Sequence, residues 1–219
     1  MLSPEAEPFA SGRDADVYSI DDEWVLRRYR DGHPVRDEAE FMRWVGNHGY
    51  PVPAIGRVDG PDMVIQRLSG PTLADAVIAG DLGPVELGEM HADLHRRLHA
   101  IPAPSGAAGQ VVMHGDLHPY NVMLTADGPV VIDWRNAEQG PAEFDIAMTA
   151  IIFAQVVLDP AFAELSELLR EALNSYLANS IDPTPHLPTA LASRGRNVTL
   201  TKEELALLPK QDQLIRSML

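Results

Sequence analysis

Asp116, Asn121 and Asp133 carry oxygen side chains of the hard kind that divalent cations and phosphates favour. The first two lie in MHGDLHPYNVML, residues 113–124, and the third ends the apolar run of VVIDWRNAEQGP, residues 130–141. Asp116 is expected in a loop, Asn121 at the start of a strand, and Asp133 at the end of the strand pairing with it. That hairpin would converge all three side chains on one point. Two carboxylates and an amide oxygen suit Mg²⁺, with phosphate completing the shell. Asp116 could instead stand off the metal and accept a proton from an incoming hydroxyl. This division of labour is the one phosphoryl transfer needs. Two other readings use the same stretch. His114, Asp116 and His118 alternate along one segment and would suit a metallohydrolase, though Asn121 and Asp133 then have no task. An Asx-turn and hairpin would spend the polar groups on local backbone bonds.

The elements that must hold these residues are legible in outline. Val17–Ile20 and Trp24–Tyr29 are β-prone runs around an Asp21-Asp22-Glu23 turn. Ala39, Met42 and Val45 recur with helical spacing, with Phe41 beside them, which predicts a helix over 35–48 ended by Gly49. Strands are expected near 55–58 and 63–68, so residues 1–68 read β-β-β-α-β-β, with the first strand starting near Pro8. Ser69-Gly70-Pro71 is a breaker and a candidate lobe boundary. Helices are expected at 72–79, 85–101, 143–157, 161–178, 188–194 and 201–218, with a small hairpin around Asp127-Gly128 and a flexible segment at 102–109. Thr201-Lys202-Glu203-Glu204 has the form of a capping box.

His114-Gly115-Asp116-Leu117-His118-Pro119-Tyr120-Asn121 resembles the H-G-D-x-x-x-x-N catalytic loop of aminoglycoside phosphotransferase-like kinases. Ile132-Asp133-Trp134 resembles their I-D-W/F segment, the counterpart of D-F-G in protein kinases. The resemblance implies an α+β, protein-kinase-like two-lobed fold: a β-rich nucleotide-binding lobe over 1–68 and a helical lobe over 69–219. It implies ATP as donor, Mg²⁺ as cofactor, Asp116 as catalytic base, and Asn121 and Asp133 as metal ligands. His114 would support the loop, and Asp145 would brace it from a helix start.

The same resemblance places a phosphate-covering loop at 11–18, with Gly12 its glycine. The next strand should supply a cation for the phosphates, often Lys, paired with a helix Glu. This chain has Arg at both 27 and 28. Side-chain alternation leaves only one facing inward, and Arg27 is level with the expected position. Glu38 and Glu40 both qualify as the partner; Glu38 shares a face with Met42 and Val45. Gln66-Arg67-Leu68 falls at the hinge, where backbone groups at Gln66 and Leu68 would meet adenine.

His91, His95 and His99 recur every fourth residue on one helix, a spacing that can bind zinc. His91 falls in the apolar stripe with Leu87, Leu94 and Leu98, while His95 and His99 flank it. No acidic third ligand follows locally, so packing is the expected role. Only 135–141 separates Asp133 from the next helix. That leaves little room for a peptide platform and points to a small-molecule hydroxyl acceptor.

Composition bounds the rest. The 219 residues include 45% apolar side chains and no cysteine, so disulfides and thiolate metal sites are excluded. A net charge of −15 carries no basic footprint for nucleic acid, though acidity can steer a cationic ligand. No run reaches the roughly 20 apolar residues of a membrane span. MLSPEAEPFASGRD lacks a leader pattern, so a cytoplasmic setting is expected. A nucleotide-binding regulatory module without strong catalysis is the alternative function.

Overall fold

The computed structural model describes residues 7–12, 14–197 and 200–219. In chain order the first elements are β1 Ala10–Ser11, β2 Ala15–Ser19, β3 Trp24–Tyr29, α1 Arg36–Asn47, β4 Ile55–Asp59 and β5 Asp62–Gln66. Next come α2 Leu73–Ala79, α3 Pro84–His99, β6 Val111–Met113, β7 Val122–Thr125, β8 Gly128–Val131 and β9 Glu138–Gly140. The chain finishes with α4 Ala142–Leu158, α5 Ser166–Ala178, α6 Leu187–Arg194 and α7 Lys202–Met218.

Two compact units result. The chain up to Pro71 joins Met123–Ala137, and Thr72–Val122 joins Glu138–Leu219.

In the first unit, β1–β5 form an antiparallel sheet in the order β1-β2-β3-β5-β4. The β2–β3 turn is built by Asp21, whose Oδ1 accepts the Glu23 and Trp24 amides at 2.9 and 2.8 Å. β3 is central: on one face Val25, Arg27 and Tyr29 are buried, and on the other Leu26 is buried and Arg28 exposed. Helix α1 packs against β4 and buries Glu38, Ala39, Met42 and Val45 along one face. The 123–137 segment is tied to this unit by its backbone. The Leu124 amide donates to Pro71 O and the Val131 amide to Pro51 O, both at 2.8 Å. Gly70 makes this approach possible: its φ is +135°, and a Cβ there would sit 1.9 Å from Leu124 O.

The second unit is built around α4. That helix is largely apolar and buries every residue from Asp145 to Ala154, as expected for a core helix. Helices α5, α6 and α7 pack on it, and α3 packs on α5. At the α3–α5 crossing Gly88 lets the backbones meet; a Cβ there would lie 2.4 Å from Ala172 O. Thr72 and Thr201 both close capping boxes, on Asp75 and Glu204.

Several expectations need correction. The helix expected over 161–178 is a 3₁₀ stretch, Pro160–Leu165, followed by α5. Asp159 accepts the Ala161 amide at the start of this stretch, Phe162 leaves the helical region within it, and Leu165, at φ −101° and ψ 0°, separates it from α5. Asn121 does not open a strand: it closes a 3₁₀ turn, Pro119–Asn121, and β7 starts one residue later. β8 ends at Val131, two residues before Asp133. The pair β6–β9, with Met113 opposite Glu138, was not expected. Three-residue strands carry no alternation to read, and their pairing is long-range.

Candidate active site

In the first unit one residue collects the chemistry. Arg27 Nη1 donates to Glu38 Oε1 at 2.5 Å and Nη2 donates to Asp133 Oδ1 at 2.7 Å. Nη2 also donates to the Tyr29 hydroxyl, which in turn donates to Glu38 Oε2 at 2.8 Å. Arg27, Tyr29 and Glu38 thus form a closed buried ring. The Trp134 amide adds a 3.2 Å bond to Glu38 Oε1. Burial opposes the charge on Arg27, but Glu38 and then Asp133 outweigh it and raise its affinity for the proton. Burial pushes the Tyr29 hydroxyl up, so it stays a neutral donor. Glu40 is exposed and outside the ring. Arg28 faces away and forks onto Asp62 at 2.6 Å through both Nε and Nη2.

Asp133 follows β8 with φ +62°, the one described non-glycine residue at positive φ. This conformation is costly for a side chain with a Cβ and collects at functional positions. The Asp133 side chain is about half exposed, at 49%. Two residues on, Arg135 Nη2 pairs with Asp31 at 2.7 Å and Nη1 approaches Asp14 at 3.4 Å. Its guanidinium lies over the Tyr29 ring at 4.6 Å.

Gly12 lies between β1 and β2 and is exposed; its amide donates to Ala15 O at 2.9 Å. Arg30 anchors this turn by donating to Gly12 O and to Asp16 Oδ1. Arg13 of the same loop lies outside the described residues. Gln66 ends β5, with its amide donating to Ala54 O and the Arg67 amide to Glu23 O. Leu68 follows, half-buried.

In the second unit the catalytic-loop candidates are held by α4. Asp145, in its first turn, is wholly buried. Its Oδ1 accepts the Gly115 amide at 2.8 Å and its Oδ2 the His114 amide at 3.0 Å. One turn later Thr149 Oγ donates to Leu117 O at 2.9 Å. His114 is buried, and its Nδ1 accepts the Asp116 amide at 3.3 Å. The Asn121 side-chain amide donates to Asp116 O at 2.9 Å. That bond sets the amide orientation, leaving Asn121 Oδ1 as the atom that could ligate a cation. His118 Nε2 stands 3.9 Å from Asp116 Oδ2.

The metallohydrolase reading is not supported. Among the described residues the His/Asp/Glu group close enough to share a metal ion is His95, His99 and Asp145, not His114, Asp116 and His118. The His91–His95–His99 reading also changes, because α4 supplies the acid that the local sequence lacked. His95 is fully buried rather than at the stripe's edge.

Comparison with known proteins gives the family and the fold. The phosphotransferase enzyme family (APH) matches residues 5–109 and, in an overlapping match, 70–178. The chain belongs to that family. Its structure is similar to ADP-bound aminoglycoside phosphotransferase APH(2'')-Ib, at 14% identity and TM-score 0.58, over 98% of this chain and 94% of that one. The gentamicin complex of APH(2")-IIa aligns at 15% identity and TM-score 0.61, over 97% and 91%. A choline/ethanolamine kinase family protein from Mesorhizobium loti aligns at 15% identity and TM-score 0.54, over 99% and 78%. No curated protein matches the sequence. The fold is therefore α+β and protein-kinase-like. Among the described residues no single helix is long and apolar enough to cross a membrane.

Sequence reasoning did not single out Tyr29, Arg135 or Thr149, and it read His99 as a packing residue. Tyr29 was findable: it lies two residues from Arg27 on one strand, hence on the same face. Arg135 and Thr149 carry no local signal for the bonds they make.

Proposed function

We propose that the protein is an ATP- and Mg²⁺-dependent O-phosphotransferase acting on a hydroxyl of a small acceptor. The observation that best supports this is Arg27 bridging Glu38 and Asp133. The expected phosphate cation and its brace, 11 residues apart, meet the expected metal ligand, 106 residues from Arg27, in one cluster.

Asp116 orients the acceptor hydroxyl and takes its proton as the oxygen attacks the γ-phosphorus. The bond from that phosphorus to the β–γ bridging oxygen breaks, and ADP leaves with the electron pair. Arg27, braced by Glu38 and Tyr29, grips the donor phosphates as a planar fork where the family often has Lys. Gly12 closes over the phosphates, and backbone groups at Gln66 and Leu68 receive the base. The hard oxygens of Asn121 and Asp133 fit Mg²⁺, which when bound neutralises developing phosphate charge. Most of the rate comes from positioning and electrostatics. The net charge of −15 favours a cationic acceptor such as an amino-hydroxy compound. Gentamicin and choline or ethanolamine in the names of the similar structures point the same way. A cytoplasmic setting suits ATP use.

The test is calorimetric titration of ATP with and without Mg²⁺, on wild type and Asp133→Asn. Mg²⁺-dependent binding lost in the variant supports the reading. Absence of binding to either protein sinks it. The Arg27–Asp133 bond also favours a second reading, a nucleotide-binding regulatory module whose metal ligand is held by a cation. Tight ATP binding with no turnover on any acceptor would select it.

A further inference from the structure

Arg27 shares the Tyr29 ring with a second guanidinium. Its Cζ lies 4.7 Å from the ring centroid, and the Cζ of Arg135 lies 4.6 Å from the same centroid. The ring attracts each cation, but the two cations repel each other. Four carboxylates offset that repulsion: Glu38 and Asp133 beside Arg27, Asp31 and Asp14 beside Arg135. Asp31 is itself fixed in the turn between β3 and α1, where its Oδ1 accepts the His33 amide at 3.0 Å.

Exposure separates the two sides of Arg135. The side chains of Asp31 and Asp14 are 52% and 49% exposed, so these pairs add little to global stability. Tyr29 is buried, and its hydroxyl accepts from Arg27 Nη2 and donates to Glu38 Oε2. A shift of the ring therefore moves the hydroxyl that holds the Arg27 fork. Arg135 also follows Asp133 by two residues, and the Trp134 amide between them donates to Glu38 Oε1. Both partners of the Arg27–Asp133 bond thus lead back to Arg135.

We propose that Arg135 is a positioning residue: packed on the Tyr29 ring and tied to Asp31 and Asp14, it holds the Tyr29 hydroxyl and the turn after Asp133 where Arg27 and Asp133 meet. The proposal rests on the reading of Arg27 as the phosphate cation. Arg135→Lys does not preserve this role, because an ammonium cannot lie flat on a ring and fork towards two carboxylates at once.

The experiment compares wild type, Arg135→Lys, Arg135→Gln, Tyr29→Phe and the Arg135→Gln/Tyr29→Phe double variant in the full chain. Readouts are the Kd for ATP with Mg²⁺, kcat and KM for ATP hydrolysis, and hydrogen exchange at the Trp134 amide. Arg135→Lys and Arg135→Gln should each weaken ATP binding about fivefold, raise KM to match and leave kcat within about twofold. Trp134 exchange should quicken by about the same fivefold factor. Tyr29→Phe keeps the ring and removes the hydroxyl through which the ring holds Arg27. In that background Arg135→Gln should cost less than about twofold in ATP affinity. An equal loss in both backgrounds overturns the proposal, since Arg135 then acts without Tyr29. Unchanged ATP affinity or unchanged Trp134 exchange in Arg135→Gln overturns it too. Should Tyr29→Phe fail to fold, those two measurements on Arg135→Gln decide. If wild type binds no ATP, the phosphotransferase reading fails, and Trp134 exchange alone decides whether Arg135 holds the turn.

Discussion

Arg27 donates to Asp133 at 2.7 Å across 106 residues of sequence, while its other terminal nitrogen holds Glu38. One guanidinium therefore links a strand, a helix and the segment after β8 within the first unit. A Lys ammonium is a point charge and cannot reproduce this fork.

Arg27→Lys should keep the Glu38 contact and lose part of the rest. ATP affinity is expected to fall about tenfold, read by calorimetry. Arg27→Leu is harsher, since it strands a Glu38 side chain only 5% exposed. Its cost should approach the roughly 3–5 kcal/mol of a broken buried ion pair, measured by urea unfolding. Equal stability of Arg27→Leu and wild type would contradict the ring.

Asp116→Asn removes the proposed proton acceptor and leaves its backbone bonds to His114 and Asn121 in place. Turnover should drop by at least about a hundredfold, with ATP binding unchanged. Near-normal turnover would sink the assignment of Asp116 as base.

His91 is fully buried, with Nδ1 bonded to Leu87 O at 3.0 Å and its ring edge-on to Phe153. Burial lowers its pKa from 6.5 to about 3. The unfolded chain therefore binds the proton first. The native state has its full advantage above pH 6.5 and loses it as pH falls from there towards 3. His91→Met removes this term. The stability of wild type relative to the variant should fall by about 2–3 kcal/mol between pH 7 and 4.5, in paired denaturant titrations. A difference independent of pH would exclude the buried neutral imidazole.

Gly88→Val tests the α3–α5 contact. The new Cβ would press on Ala172 O, Tyr176 N and Ser175 Cβ, all within 2.7 Å. The helices must part, and a loss of about 2–4 kcal/mol is expected. Gly83→Ala has open space around its Cβ and serves as control. A Gly88→Val protein melting with wild type would disprove the close crossing.

What was legible in sequence is what local rules write. Alternation along Trp24–Tyr29 separates Arg27 from Arg28, helical spacing puts Glu38 with Met42 and Val45, and Asp127-Gly128 marks the β7–β8 turn. The loop from His114 to Asn121 is likewise local, and its spacing, with Ile132-Asp133-Trp134 after it, carried the family resemblance. Tertiary structure decided what met what. The β6–β9 pair, the Gly88 crossing and the Arg135 bonds to Asp14 and Asp31 depend on where distant segments come to rest. The clearest case is His99, which reads in sequence as one of three histidines on an apolar helix. Its bond to Asp145 spans 46 residues and exists because α3 and the start of α4 exclude water from one small volume. There an ionised carboxylate must find donors, and no nearest-neighbour pattern encodes which ones.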